Sequence, residues 1–299
     1  MIGSSAIQDQ YSELRGYLDS FAATDLIDRI RQFRSLSFRR MSNVEISSAA
    51  MRVLEGGGAF ARRSSALAVV GTYPAGIRFY RVRTPIKSGT SIPMDCAVNE
   101  GDAWEAPARF ARASRLNEEG EPLLYTSTRP DVSLAEARVD EGQPAAIFVY
   151  RSTRAIRLAQ IGAKAAGAEL SADQSHKMNI LADFLHDEFT REVAPETSHL
   201  YRLSQTIAKD HFDWPLQDAW SYPSVVKKPM YNTCFRPPKA HDCLTLLGAW
   251  IGTPRGEEGI EIRFVATINR GQFEYHAWGS PGFAEALRVE PLLNPEVPD

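Results

Sequence analysis

The apolar residues of this chain change their period once, and that change limits the folds open to it. Up to residue 54 they recur at helical spacing: Tyr11, Leu14, Tyr17, Leu18 and Phe21 form one stripe, and Leu26, Ile30 and Phe33 another. This predicts helix over residues 9–36, with Thr24 and Asp25 as an N-cap that divides it in two. A third helix is predicted over 44–54. Gly56, Gly57 and Gly58 follow it, and three glycines mark a boundary because they end helices and cost entropy to order. After about residue 75 the apolar residues come instead in short runs. Strands are predicted at 77–83, 123–126, 145–150, 154–160, 231–235, 243–251, 261–268 and 272–278. The runs at 145–150 and 154–160 are expected to pair. Helices are predicted at 130–139, at 198–212, and from the capping box Ser171-Ala172-Asp173-Gln174 to about residue 192. Residues 84–101 read as a long loop, and 287–299, with Pro291, Pro295 and Pro298, as a frayed end. Strands and helices mixed without a βαβα rhythm imply an α+β fold. The expected organisation is a helical segment at 1–58 and a mixed domain at 75–285.

Composition sets limits on function. The formal net charge of −3 gives no global pull toward nucleic acid or anionic lipid. Of the 34 basic residues 27 are arginine, so an anion site would use planar guanidinium forks. Three scattered cysteines make no disulfide framework and suit a reducing compartment. The N-terminal residues lack the basic-then-apolar pattern of a secretory signal, and no apolar run approaches the roughly 20 residues of a membrane span. A soluble, cytoplasmic protein is expected. No P-loop, Rossmann fingerprint or nucleophile elbow occurs. The six histidines lie far apart, and Cys234, His241 and Cys243 lack a fourth ligand, so no metal is expected.

Residues 114–136 carry the chemical information. Arg115 lies in a turn-rich stretch, and two leucines lead to Tyr125. In the next helix Glu136 falls on the face of Val132, Ala135 and Val139. A carboxylate there needs a partner, since burying it alone is costly. By themselves these residues fit an ordinary Glu–Arg pair at a core edge.

Together they resemble the RES domain, a family named for Arg, Glu and Ser and found in toxins of RES–Xre toxin–antitoxin pairs. Tyr80-Arg81-Val82 matches the family's arginine strand. Ser114-Arg115-Leu116-Asn117 matches its Gly-Arg-Trp-Asn turn, with serine and leucine replacing glycine and tryptophan. Gly120-Glu121-Pro122-Leu123-Leu124-Tyr125 matches its Gly-x-Pro and tyrosine strand, and Glu136 follows Tyr125 by eleven positions, as in the family. Tyr222-Pro223-Ser224 matches the downstream serine element. The resemblance covers about residues 76–250. It implies an ADP-ribosyltransferase-like mixed β core, with inserted helices over 162–215 and the N-terminal helical segment outside it. It also implies an enzyme that consumes NAD as substrate, by glycohydrolysis or phosphorolysis, or by ADP-ribosyl transfer to a protein acceptor. A catalytically weak binding module is the alternative of a different class. An Xre-type helix-turn-helix antitoxin is the implied partner.

In this reading Glu136 stabilises the positive ribose left when nicotinamide departs. Arg81 and Arg115 grip the pyrophosphate, Tyr125 packs on the nicotinamide or ribose, and Ser224 binds a ribose or phosphate oxygen. Asn117 contributes to the site or pins its loop. Asn232 and Arg236 either join the site or cap a turn.

Overall fold

The computed structural model describes residues 4–54, 69–85, 92–164, 169–256 and 259–297. The predicted boundary at Gly56–Gly58 lies outside the described residues. The fold is α+β, and the chain forms two compact units: residues 1–71, 112–121 and 158–223 make one, and 72–111, 122–157 and 224–299 the other.

The first unit is mainly helical. The predicted N-terminal helix is two, α1 (Ser4–Asp19) and α2 (Ala23–Arg34), and α3 spans Asn43–Leu54. The divide is capped at Ala22, with no side-chain cap bond, rather than at Thr24. The helices expected as an insertion, α5 (Ala172–Thr190) and α6 (Tyr201–His211), belong to this same body. The capping box of α5 forms as expected: Ser171 Oγ accepts from Gln174 N–H at 3.2 Å, and Ser171 N–H donates to Gln174 Oε1 at 2.9 Å. Polar side chains bind the two sets of helices. Gln174 donates to the Asp19 carboxylate at 2.9 and 3.0 Å, Lys177 Nζ donates to Leu18 O at 3.0 Å, and Arg202 donates to Asn43 and Met41 at 2.9 and 2.7 Å. Strands β5 (Ile156–Gln160) and β6 (Ala219–Pro223) run parallel, with β1 (Val69–Tyr73) beside β5.

The second unit carries an antiparallel sheet in the order β10-β9-β8-β4-β2. Here β2 is Arg78–Arg83, β4 Ala145–Ser152, β8 Leu244–Pro254, β9 Ile260–Asn269 and β10 Gln272–Ala277. The expected pairing of 145–150 with 154–160 is not found. Six consecutive residues of β4, Ala145 to Tyr150, are buried, as befits a strand flanked by neighbours and covered on both faces. It therefore pairs with β2 and β8, while β5 leaves to pair with β6. On one face Ala145, Ile147 and Val149 join Tyr80, Leu134, Trp250, Val265, Phe283 and Leu293 in one core. On the other, Phe148 packs on Phe273 and Tyr150 on Trp104. Strand β3 (Leu124–Thr126) pairs with β7 (Tyr231–Phe235), setting Tyr125 opposite Cys234. A bridge between Tyr80 and Ser127 joins the end of β3 to β2. Helix α4 is Pro130–Glu136, shorter than the predicted 130–139 because Arg138 turns left-handed at φ 53°. Two short helices, α7 (Pro237–Cys243) and α8 (Pro281–Val289), complete the unit.

The tail is ordered through residue 297, the last described, rather than frayed. Leu293 is fully buried, and Trp250 Nε1–H donates to its carbonyl at 2.8 Å. Arg78 donates to the carbonyls of Leu292 and Asn294, both at 3.2 Å, and to that of Val297. Leu293 reaches the sheet because Gly248 offers no side chain. A Cβ at Gly248 would sit 2.2 Å from Ala266 O and 3.1 Å from Leu293, on a backbone at φ 155°.

His211, at the C-terminal end of α6, is 1% exposed. Burial lowers its proton affinity, against the opposing pull of Asp210 and the Ser47 main chain. A folded pKa below the unfolded one means that the unfolded chain takes up the extra proton. Stability from this group is complete above the unfolded pKa of about 6.5 and declines as the pH falls from there. The melting temperature should drop between pH 7 and 5.5, and His211→Leu should flatten that slope. Parallel pH profiles for the two proteins would refute the assignment.

Candidate functional site

Glu136 is the last residue of α4. A carboxylate at a helix C-terminus faces the negative end of the dipole and needs donors close by. Two are provided, and both reach Oε1: Ser224 Oγ–H at 2.6 Å and Asn232 Nδ2–H at 2.8 Å. Among the described residues Oε2 has no hydrogen-bond partner, and Glu136 is only half-buried. One oxygen is thus anchored and the other left to accept a bond from outside.

The anchors are themselves fixed. Ser224 is buried; its Oγ accepts the Lys227 N–H at 3.0 Å, and its N–H donates to Met230 O at 2.8 Å. The Lys227 bond aims the serine proton at Glu136. Asn232 is 4% exposed and lies on β7 two residues before Cys234. Tyr125 is directly opposite Cys234, so Tyr125 and Asn232 point to the same face. Helix α4 is held against β2 by Ser133 Oγ–H, which donates to Tyr80 O at 2.8 Å. Arg138, two residues beyond Glu136, closes the helix with its N–H on Ala135 O at 2.9 Å. Glycine is the usual occupant of that left-handed position, so the turn after Glu136 carries local strain.

The structure thereby brings Glu136, Ser224 and Asn232 together, with Tyr125 on the shared face. Arg81 serves a different set of atoms. Its Nη1 donates to Asp102 O at 3.1 Å and Ala103 O at 3.2 Å, and its guanidinium lies 5.9 Å from the Phe148 ring centre. Arg83 donates to the same Asp102 carbonyl at 2.9 Å, and Tyr150 O–H to that of Ala103. Packing around the Arg81 head lowers its proton affinity, although the residue keeps some exposed surface. Burial likewise raises the pKa of Tyr150. These side chains shape the turn at 99–105.

Arg115 and Asn117 belong to the other unit. Asn117 is 3% exposed, and its Nδ2 donates to the carbonyls of Arg112, Glu118 and Glu121 at 2.9, 2.9 and 3.0 Å. That is a loop staple. Gln205 of α6 reinforces it by donating to Ser114 O and Asn117 O at 2.7 and 2.5 Å. Leu116, in the place of the family's tryptophan, is fully buried. Arg115 is held by the Arg191 carbonyl at 2.8 Å and lies 5.9 Å from the Tyr201 ring centre. Arg191 pairs in turn with Glu188 at 2.6 Å, whose burial raises its pKa. Arg236 is the N-cap of α7, its carbonyl accepting from Lys239 and Ala240. The sequence alone left Asn232 open: its bond to Glu136 depends on β3 pairing with β7, which no local pattern reveals. Among the described residues, no three His, Cys, Asp or Glu side chains are grouped to hold a metal ion, and no helix is long and apolar enough to cross a membrane.

A scan against protein families matches the RES domain over residues 78–251, more than half of the chain. This is a RES-domain protein. The match runs from the first residue of β2 into β8 and contains Arg81, Arg115, Tyr125, Glu136, Ser224 and Asn232. A comparison with curated proteins gave no match.

The Asn117 staple makes a direct prediction. Asn117→Ala leaves three main-chain carbonyls without their donor and should cost about 1–3 kcal/mol of stability, read as a shift in denaturant midpoint. An unchanged midpoint would mean that the loop is held by Gln205 alone.

Proposed function

We propose that this RES-domain protein consumes NAD by cleaving its nicotinamide–ribose bond. The observation that carries the reading is the anchored carboxylate: Glu136 with Oε1 fixed by Ser224 and Asn232, and Oε2 without a partner among the described residues. Nicotinamide leaves as a neutral base and needs little acid help. The barrier lies in the positive, oxocarbenium-like ribose. A carboxylate held at that point stabilises the developing charge without having to reorganise, and Oε2 can accept a bond from a ribose hydroxyl. Asn232 and Ser224 hold Glu136 in place, and Tyr125 offers a flat ring with a polar tip on the same face.

The pyrophosphate is assigned to Arg81 and Arg115 on the family resemblance, since paired guanidinium N–H groups suit phosphate oxygens. Arg81 also shapes the 99–105 turn, so its replacement should disturb both binding and that turn. With water as acceptor the enzyme is a glycohydrolase, and with phosphate a phosphorylase. A protein nucleophile would make it an ADP-ribosyltransferase. In the toxin reading, an Xre-type antitoxin is the partner.

The test is nicotinamide release from NAD by the purified full chain, with and without phosphate. Glu136→Gln keeps the shape of the side chain and should lower release by about 100-fold or more. Ser224→Ala and Asn232→Ala should each lower it by about tenfold, the order expected for one lost hydrogen bond to a charged group. Faster release with phosphate would name the acceptor. Release that survives Glu136→Gln would overturn the site, and a wild-type protein that neither binds nor cleaves NAD would overturn the function.

A further inference from the structure

Arg81 and Arg83 leave β2 on the same face, two residues apart. Their heads converge on one oxygen. Nη1 of each donates to Asp102 O, at 3.1 Å from Arg81 and 2.9 Å from Arg83. Two like charges so close repel each other. Burial lowers the proton affinity of Arg81, and the charge of Arg83 lowers it further. A guanidinium on a long stem also has much rotamer freedom to lose. Holding this pair in one pose therefore requires well-placed acceptors.

Those acceptors come from a single 3-10 turn, Glu100–Asp102. The last carbonyls of a helical turn have no partner inside it. Asp102 O takes both arginines, and Ala103 O takes Arg81 at 3.2 Å together with the Tyr150 hydroxyl. Both oxygens are neutral, so they fix the Arg81 head without cancelling its charge.

The Asp102 side chain sets the shape of the turn. Its Oδ2 accepts the Val98 N–H at 3.0 Å and the Asn99 N–H at 2.9 Å, and its own N–H donates to Asn99 O at 2.9 Å. Its Oδ1 lies 3.5 Å from Arg83 Nη1. The turn is also stitched to the β9–β10 hairpin, with Glu100 N–H on Gly271 O at 2.9 Å and Phe273 N–H on Val98 O at 3.1 Å. One half-buried residue thus ties the turn together and presents the carbonyl on which both guanidinium heads meet.

We propose that Asp102 is a positioning residue for the dinucleotide site: its carboxylate holds the 98–103 turn, and the carbonyls of that turn hold Arg81 for the pyrophosphate. Asp102 itself touches no substrate. This role rests on Arg81 meeting the pyrophosphate of NAD, as in the function proposed above. It concerns binding and not bond cleavage, since Glu136 is held by separate donors, Ser224 and Asn232.

The test is NAD turnover by the full chain, with KM and kcat measured for Asp102 and Arg81 variants and circular dichroism confirming each fold. Asp102→Ala should raise KM by about tenfold, the order expected when a charged hydrogen-bonding group loses its support. It should leave kcat within about twofold, because only binding is weakened. Asp102→Asn keeps an acceptor for the two N–H groups and should stay within about threefold of the wild-type KM, asparagine being as good a cap as aspartate. Asp102→Ser, with a shorter and weaker acceptor, should fall between the two. The deciding readout is the double variant. If Asp102 acts through Arg81, Arg81→Ala with Asp102→Ala should raise KM no more than Arg81→Ala alone, whereas independent effects would multiply. A wild-type KM in Asp102→Ala, a loss confined to kcat, or multiplying effects would overturn the role. So would an Arg81→Ala variant that cleaves NAD with the wild-type KM, since nothing would then be positioned. A wild-type protein that neither binds nor cleaves NAD would overturn the NAD reading itself, and this role with it.

Discussion

Strand β4 has no face turned to water, and the second unit is arranged around that fact. A strand buried on both sides must have both edges paired, or its main-chain groups would be left without partners in the interior. β2 and β8 meet that need. β2 then carries α4 on its surface through the Ser133–Tyr80 bond, and meets β3 through the Tyr80–Ser127 bridge. Both elements that bring Tyr125 and Glu136 to their places are therefore referred to the same edge of the same sheet. The geometry of the candidate site inherits its precision from an apolar strand that contributes no polar group to it.

The site shows how a negative charge is kept where a helix disfavours it. Glu136 ends α4, where the peptide dipoles oppose a carboxylate. The opposition is met by two neutral donors on one oxygen rather than by an arginine, as a bare reading of the sequence had suggested. A guanidinium partner would have neutralised the carboxylate. A hydroxyl and an amide hold it while leaving its charge available, which is what the proposed stabilisation of a cationic ribose would use.

Much of this was legible in the sequence, and the failures have physical causes. The capping box at Ser171, the runs at 77–83 and 231–235, and the spacing from Tyr125 to Glu136 are local features, and each was found. The pairing of 145–150 with 154–160 failed because proximity in sequence was taken as a guide to pairing, whereas burial decided it. The tail from 287 was misjudged because three prolines suggest fraying, and nothing local signals that Gly248 leaves a hollow for Leu293. The helices over 162–215 were expected as an insertion, and the RES match spans these residues. That they join α1–α3 depends on polar contacts such as Gln174–Asp19 and Arg202–Asn43, between residues more than 150 positions apart, and such contacts leave no periodic trace. Asn117 was read with two roles, and its three carbonyl partners show the staple.

Leu293 ties this architecture together across the sequence. It closes one side of the core that contains β4, yet it follows Val149 by 144 positions (293 − 149). Until it reaches the sheet the hollow over Gly248 stays open, and Trp250 lacks the carbonyl it donates to. Contacts so far apart form slowly, because the entropy of closing the loop is lost before the contact repays it. The packing of the second unit is therefore completed by a non-local contact and not by its strands alone.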